Sequence, residues 1–341
     1  MAKKTSYFFS ICIPIYKGSH VLDLALDSVF KQSFKNYEII IGDDTPPEFQ
    51  GEIKKIKDLI DSYKDKRIKY FRNTHNLGYP LNLRKIVAKA KNDIVFLLAQ
   101  DDILSRTALQ ETHDAFLLSP EVKAVTRPYF WYQDDIKHPI RAVKPFDDQE
   151  DAIMSVFDSE SEFVKIFESL GQLSGLAYMR KSISIPFNEE IFPAHIYPFA
   201  GILKQHKCVF LHNYTVAVSI DDSQTRSLTS IYHQSPTESW LKMYRTVFSG
   251  KSFEKQRQWG VKHMSTHYEG LVQIKNYGSG RYLLREIGVM VKSRWQNIFE
   301  IRFWFYILIT LIVPRRILRL LTDWYKKTVL AQNLPIINFK L

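Results

Sequence analysis

The chain has 341 residues, of which 45% are hydrophobic and 14% aromatic, enough for a large folded core and too apolar for an intrinsically disordered protein. Its formal charge of +11 is confined to one end: residues 251–341 carry 16 Lys+Arg against 5 Asp+Glu, whereas residues 1–250 carry 31 of each. Two cysteines, Cys12 and Cys208, each inside an apolar run, exclude a disulfide framework and a zinc-ligand spacing and read as buried thiols of a reducing compartment.

The apolar run 8–15 contains Pro14 and is soon followed by charges, so it is a poor signal peptide and a good first strand. Short β-branched or aromatic runs predict strands at 8–16, 37–42, 67–71 and 93–99. Between them lie helical stretches at 19–34, 48–63 and 81–90. In the first of these, Val21, Leu22, Ala25, Leu26, Val29 and Phe30 form a helical stripe, with Ser19 as the expected N-cap. Strand and helix alternating at this spacing predict right-handed βαβ units and a largely parallel sheet.

A helix at 105–118 and a strand at 122–131 follow. Residues 132–155 are polar, Asp-rich and Pro-interrupted and read as a loop insertion. Helices are expected at 161–170 and 194–206, with short strands at 176–179, 208–211 and 215–220. From Tyr232 onward the pattern is helical and increasingly basic. We therefore expect two units, 1–230 and 231–341, the second with a membrane-associating segment at about 298–328.

That segment holds the apolar run 303–313, bounded by Arg302 and by Pro314-Arg315-Arg316. As a helix it spans roughly 16 Å, about half a bilayer core, so it is not expected to cross. After it, Ile317, Leu320, Leu321 and Trp324 recur at i, i+3, i+4, i+7, with Arg315, Arg316, Arg319, Lys326 and Lys327 around them. Basic residues interleaved with aliphatic and aromatic ones fit an anionic membrane surface, not nucleic acid. The alternative is a helix packed on the rest of the fold.

Strand 93–99 empties into Asp101 and Asp102. Two carboxylates this close repel unless a cation or several donors compensate them, and ligands in open α/β sheets bind outside the carboxyl ends of strands. The simpler alternative is an Asp-Asp cap for the next helix. Three other polar stretches fall at strand ends or helix starts: Pro14-Ile-Tyr16, Gly42-Asp43-Asp44-Thr45-Pro46 and Asn76-Leu-Gly78-Tyr-Pro-Leu-Asn82. Together they suit a nucleotide: Tyr16 offers an aromatic face for the base, Asp44 an acceptor, and Asp101 with Asp102 a seat for Mg2+ or Mn2+ on a diphosphate. Neither a GxGxxG fingerprint nor a Walker A lysine is present.

Ser10-Ile-Cys-Ile-Pro-Ile-Tyr16, Tyr37-Glu-Ile-Ile-Ile-Gly-Asp-Asp44, Asn76-Leu-Gly78 and Gln100-Asp-Asp102 resemble the ordered motifs of family 2 glycosyltransferases. The resemblance covers roughly residues 7–225 and is similar to the bacterial polysaccharide and rhamnosyl-type members. It implies the GT-A fold, a Rossmann-like, mixed but mostly parallel sheet flanked by helices, followed here by the helical basic extension. It also implies that Pro14, Tyr16, Asp44, Asn76, Gly78, Asn82, Arg84, Gln100 and Asp101 line the donor site. Tyr16 and Asp44 would meet the nucleoside, Asp101 the ribose or phosphate side, Arg84 the diphosphate, and Asp102, with Asp101, the metal. Two departures stand out: Ala99 replaces an Asp often found there, and Thr45-Pro46 replaces the usual Gly-Ser. The family's acceptor-side Glu-Asp pair is also missing. By distance from the following helix, His195 occupies the place of that catalytic Asp, with Glu189 and Glu190 as rival bases; the alternative for His195 is a helix cap. Residues 221–226 are either a polar loop or a cover for the donor, with Arg226 on phosphate.

The resemblance implies a metal-dependent, inverting transfer of sugar from a nucleotide-diphospho-sugar to a hydroxyl of a lipid-linked or other oligosaccharide acceptor in cell-surface polysaccharide synthesis. The basic tail places such a protein in the cytoplasm, peripheral on the inner face of the cell membrane. Two rivals are a sugar-phosphate nucleotidyltransferase and a non-catalytic nucleotide-sugar or membrane-binding module. The first would carry a Gly-rich basic loop after strand one, where Tyr16-Lys-Gly-Ser has one Lys and one Gly. The second is consistent with Ala99 and the missing Glu-Asp.

Overall fold

The computed structural model describes residues 6–190, 192–220, 229–330 and 334–341. Four apolar runs form the parallel half of an eight-stranded sheet: β1 (Phe9–Ile15), β2 (Tyr37–Asp43), β3 (Ile68–Arg72) and β4 (Ile94–Leu97) lie in the order β3-β2-β1-β4. Both faces of β1 are buried, which is why it reads as a continuous apolar run. Its side chains still divide by pleat. Cys12, with Ile40, Val95 and Leu97, packs on one face against helix α3 (Tyr79–Ala88). Ile11 and Ile13, with Ile39, Ile41 and Phe96, pack on the other against α1 (Leu22–Phe30) and α2 (Gln50–Ser62). Both thiols are buried as expected, and burial pushes the Cys208 thiol up to about 12. Ser19 does not cap α1; Val21 stands at that position, and the Ser19 hydroxyl donates to Glu52 of α2 instead.

After β4 come a short β5 (Ile103–Leu104), α4 (Ala108–Leu117) and β6 (Val122–Thr126). The strand expected over 122–131 is two strands. It breaks at Arg127-Pro128, where proline has no N–H for the ladder, and β7 (Tyr129–Tyr132) joins a second sheet. The stretch expected as a loop contains β8 (Arg141–Val143) and β9 (Ala152–Met154), which are antiparallel to β7 and to β11 (Lys207–Phe210), respectively. Both are short edge strands of mostly half-exposed residues, too brief to show a period in sequence. With β10 (Ala177–Met179) and β12 (Val216–Ser219), the large sheet runs β3-β2-β1-β4-β10-β6-β11-β9 and the small one β5-β12-β7-β8. α5 (Glu160–Ser169) and α6 (Ile196–Leu203) cover the α3 face.

The apolar core crosses the expected division at 230/231. Tyr244 and Phe248, from α7 (Pro236–Val247) and its C-cap, pack with Phe163 and Phe167 of α5, as does the neighbouring α8 (Glu254–Ser265) through Met264. A second cluster joins α9 (Glu269–Tyr277), α10 (Gly280–Ser293) and α11 (Ile301–Ile312) through Leu271, Ile274, Leu283, Met290, Phe303 and Ile307. α11 thus packs by one face, while Ile301, Trp304, Phe305, Leu308 and Ile312 remain exposed on the other. α12 (Arg315–Tyr325) buries Leu318 and exposes Ile317, Leu320, Leu321 and Trp324. No described helix is long and apolar enough to cross a membrane. Residues 334–341 return to the small sheet, where Phe339 lies edge-on to Phe130 at 5.1 Å and the Lys340 carbonyl accepts the Arg106 N–H at 2.7 Å.

Candidate functional site at the carboxyl edge of the parallel strands

The strand ends are tied together by side chains that the sequence singled out. Gln100, just past β4, accepts the Tyr16 N–H at 2.8 Å and donates to the Tyr16 carbonyl at 3.3 Å, which fixes the end of β1 and leaves the Tyr16 ring half-exposed. The next residue, Lys17, holds a left-handed φ of +50°, and its N–H donates to Thr45 Oγ1 at 3.0 Å. Backbone strain of this kind persists only where surroundings over-determine it. Thr45, the departure in the second motif, is therefore the group that closes this turn. Pro14 pairs in register with Gly42.

Asp44 organises the neighbouring loop. Its buried carboxylate accepts from Leu77 N at 2.8 Å, Gly78 N at 2.7 Å and Asn73 Nδ2 at 3.0 Å. Asn76 Oδ1 shares the Gly78 N–H at 2.8 Å. Gly78 has φ +81° and ψ 157°, a conformation essentially reserved for glycine, and from it α3 begins. Asn82 is buried behind this loop: it donates to the Gly42 carbonyl at 2.8 Å and accepts from Asn73 at 3.0 Å, so its amide braces the site instead of facing the opening. A Cβ on Gly42 would collide with Ile86 and Asn82.

The two carboxylates after β4 differ in surroundings. Asp102 is 1% exposed. Its Oδ2 accepts from Ser174 Oγ at 2.5 Å and Gln172 Nε2 at 2.8 Å, and its Oδ1 from Ser219 N at 3.2 Å. None of these bonds goes to α4, whose N-cap is Thr107, so the cap alternative does not hold. Burial first, then the charge of Asp101, pushes the Asp102 carboxyl well above the usual carboxylate range, against the pull of Ser174, Ser219 N and the Arg127 cation. Asp101 is half-exposed.

Several partners here carried no sequence signal. Arg127 is fully buried where β6 breaks from β7; its guanidinium donates to the carbonyls of Ser169 at 2.9 Å and Gln172 at 2.8 Å. Burial lowers its pKa to about 10, which leaves it charged at neutral pH. The loop it clamps delivers Gln172 and Ser174 to Asp102. Gly175 follows at φ +80°, where a Cβ would lie 2.6 Å from Val216 Cγ2 and 2.8 Å from Arg127 Nε. Only that left-handed glycine, with an Arg preceding a proline, could have hinted at the clamp.

The same loop holds His195. Its Nε2 lies 2.9 Å from the Leu170 carbonyl and its Nδ1 2.9 Å from the Tyr79 hydroxyl. A carbonyl only accepts, so the proton sits on Nε2 and Tyr79 donates to Nδ1. His195 occupies the N-cap position of α6, but its side chain makes no cap bond. Glu190 is paired with Lys242 of α7. Glu189, with 71% of its side chain exposed, lies 3.5 Å from Arg84 of α3. Residues 221–226, expected as a loop or a cover, lie outside the described residues.

Burial lowers the His195 pKa to about 4, the Leu170 bond opposing and the Arg127 charge adding to the shift. The unfolded chain protonates near pH 6.5, so between these values the folded state binds fewer protons. The contribution of a neutral His195 is therefore fully present above about pH 6.5 and is lost as pH falls towards 4, by at most about 3 kcal/mol. Calorimetry at pH 7 and pH 4.5 should show a smaller drop in Tm for His195→Gln than for the wild type. An equally steep drop would mean that His195 is not held neutral.

Residues 10–184 match the sequence profile described as Glycosyl transferase family 2. An uncharacterised glycosyltransferase of Rickettsia typhi is 26% identical over 268 residues, 76% of each chain. One of Haemophilus influenzae is 35% identical over 103 residues, 30% of this chain and 39% of that relative. Among solved structures, S. aureus TarS 1–349 in complex with UDP-GlcNAc superposes with a TM-score of 0.66 at 13% identity, over 84% of this chain and 81% of that one. The mannosyltransferase PcManGT of Pyrobaculum calidifontis, in complex with GDP-Man and Mn2+, gives 0.54 at 11% identity, over 95% and 89%. The overall fold is the one these transferases share.

Proposed function

Because the chain belongs to the family 2 glycosyltransferases, we propose that it moves a sugar from a nucleotide-diphospho-sugar to a hydroxyl of a lipid-linked glycan, with inversion at the anomeric carbon. The observation that carries this reading is the continuous set of bonds joining Gln100, Tyr16, Lys17 and Thr45 on one side and Asp44, Leu77 and Gly78 on the other. It fixes the ends of β1, β2 and β4 relative to one another, at the edge where ligands of open α/β sheets bind. Tyr16 offers its ring to the base, and the Asp44 loop borders the nucleoside.

Asp101, not Asp102, is the carboxylate assigned to the donor side. Asp102 is 1% exposed, while Asp101 is half-exposed beside it. Mg2+ or Mn2+ fits such a site, because these ions are commonly held by one or two carboxylates plus substrate phosphates. When bound, the cation would supply positive charge against the leaving diphosphate. The acceptor oxygen attacks the anomeric carbon, the bond to the diphosphate oxygen breaks with its electron pair, and the hydroxyl proton passes to a base. Of the three candidates, Glu189 is the one assigned. His195 has both nitrogens engaged, and Glu190 is paired with Lys242 with 26% of its side chain exposed, whereas Glu189 is 71% exposed and its Arg84 contact is a longer 3.5 Å.

The exposed apolar faces of α11 and α12, flanked by Arg302, Arg316 and Arg319, are assigned to an anionic membrane surface. Replacing Trp304 and Leu308 together by Ser should cut co-flotation with phosphatidylglycerol vesicles about tenfold and lower Tm only slightly, since both are exposed and Trp304 Nε1 loses one bond, to the Ile298 carbonyl at 2.7 Å. Unchanged flotation would remove the membrane from this reading.

The deciding experiment measures nucleotide release from UDP-, GDP-, dTDP- and CDP-sugars with and without Mn2+. One donor should be turned over in a metal-dependent manner, and Glu189→Gln should slow it. A non-catalytic binding module would bind a donor and release nothing.

A further inference from the structure

A cavity of about 480 Å3 lies between the small sheet and the C-terminal helices, within the size range of small-molecule sites. One wall is Trp131 of β7, Arg141 of β8 and Ser219, the last residue of β12; the other includes Asn276 of α9, Tyr306 of α11 and Tyr325 of α12. Ser219 connects it to the chemistry, because its N–H is the one that holds Asp102 Oδ1 at 3.2 Å. The cavity thus begins one residue from the carboxylate pair.

Its lining is chemically mixed and includes one carboxylate, Glu269, which accepts from the Tyr306 hydroxyl at 3.2 Å and pairs with Arg302 at 3.1 Å. The Arg141 guanidinium lies 3.6 Å from the centre of the Trp131 ring. Asn276 is 5% exposed; its Nδ2 donates to Thr322 Oγ1 at 3.1 Å, while its Oδ1 is buried with no partner. A buried acceptor without a partner is unfavourable, so the position suits a donor brought by a ligand. Aromatic faces with an amide suit a sugar ring and its hydroxyls, and a guanidinium suits phosphate. The two helices that close the cavity, α11 and α12, turn Tyr306 and Tyr325 towards it and present Trp304, Leu308, Leu321 and Trp324 on the exposed surface. A ligand with a polar head and a lipid tail matches both faces at once.

We infer that this cavity binds the phosphorylated headgroup of a lipid-linked glycan acceptor, with Arg141 on phosphate and Asn276 on a sugar hydroxyl. The assignment rests on the transferase reading for its role as acceptor site, but binding can be measured without donor. The probe is farnesyl-diphospho-N-acetylglucosamine in detergent micelles, with N-acetylglucosamine 1-phosphate as the soluble comparison, added to the full chain and followed by tryptophan fluorescence. Arg141→Gln should weaken probe binding at least tenfold. So should Gln273→Trp, which fills the cavity from an exposed position on α9. Tm of each variant reports on folding. Wild-type affinity in both variants, or no binding by the wild type, would overturn the site. Equal affinity for the soluble sugar phosphate would overturn the lipid assignment. A chain that binds the probe at this cavity but turns over no donor would sink the transferase reading alone.

Discussion

Asp101→Asn is expected to lower metal-dependent nucleotide release by about 10^3-fold, the scale of losing a group that stabilises developing charge, with Tm unchanged or slightly raised. Asp101 is half-exposed, and its charge is the second cause that pushes Asp102 up after burial. Removing that charge relieves Asp102 and, on the proposed reading, would deprive the donor diphosphate of its cation seat. Asp102→Asn should behave differently. An amide NH2 in place of Oδ2 would face Ser174 Oγ and Gln172 Nε2, two groups that now donate to it. One of them must turn away, at a cost of about 1–3 kcal/mol, so Tm should fall by several degrees before activity is considered. Calorimetry and the nucleotide-release assay on both variants decide the matter. Loss of metal dependence at unchanged Tm in Asp102→Asn, with Asp101→Asn active, would put the cation on Asp102.

The second large effect should come from Arg127. Arg127→Met would leave the Ser169 and Gln172 carbonyls without their donor inside the core and remove the cation that opposes the upward shift of Asp102. Breaking a buried charge arrangement by removing one member costs about 3–5 kcal/mol, enough to lower Tm by roughly 4–7 °C in a chain of this length. Because the loop from Ser169 to Ser174 also carries the partners of Asp102 and His195, donor affinity should fall together with stability. Arg127→Lys should recover little, since one ammonium cannot reproduce a planar fork spanning two carbonyls. A wild-type Tm in Arg127→Met would show that the loop holds its shape without the clamp.

The parallel half of the fold was legible because β1, β2 and β4 are buried on both faces and so spell continuous apolar runs, each followed by a polar turn. The motifs at those turns were legible for the same reason. What lay between β7 and α5 was not: β8 and β9 are three residues each, held by register to a neighbour and not by a pattern of their own. Nor could one strand running through Arg127-Pro128 be seen to serve two sheets. The C-terminal helices read correctly as amphipathic and basic, but their amphipathicity did not say which stripe was covered. Phe303 and Ile307 pack inward, whereas Trp304 and Leu308, one position along, stay exposed.

By itself the sequence determined the family, the order of strands and helices in the first half, and the list of polar groups that meet at the strand ends. Those depend on local periodicity and on residues close together in the chain. Only the tertiary structure decided what each group is free to do. Asp102 and Asp101 are neighbours of identical chemistry, yet Asp102 is buried and accepts from Ser174, Gln172 and Ser219, 70 to 117 residues away, while Asp101 is half-exposed. His195 matched the expected position of a base, but Tyr79 and Leu170, 116 and 25 residues away, occupy both its nitrogens. Availability for chemistry depends on burial and on partners brought together by long-range packing, and local spacing carries no record of either.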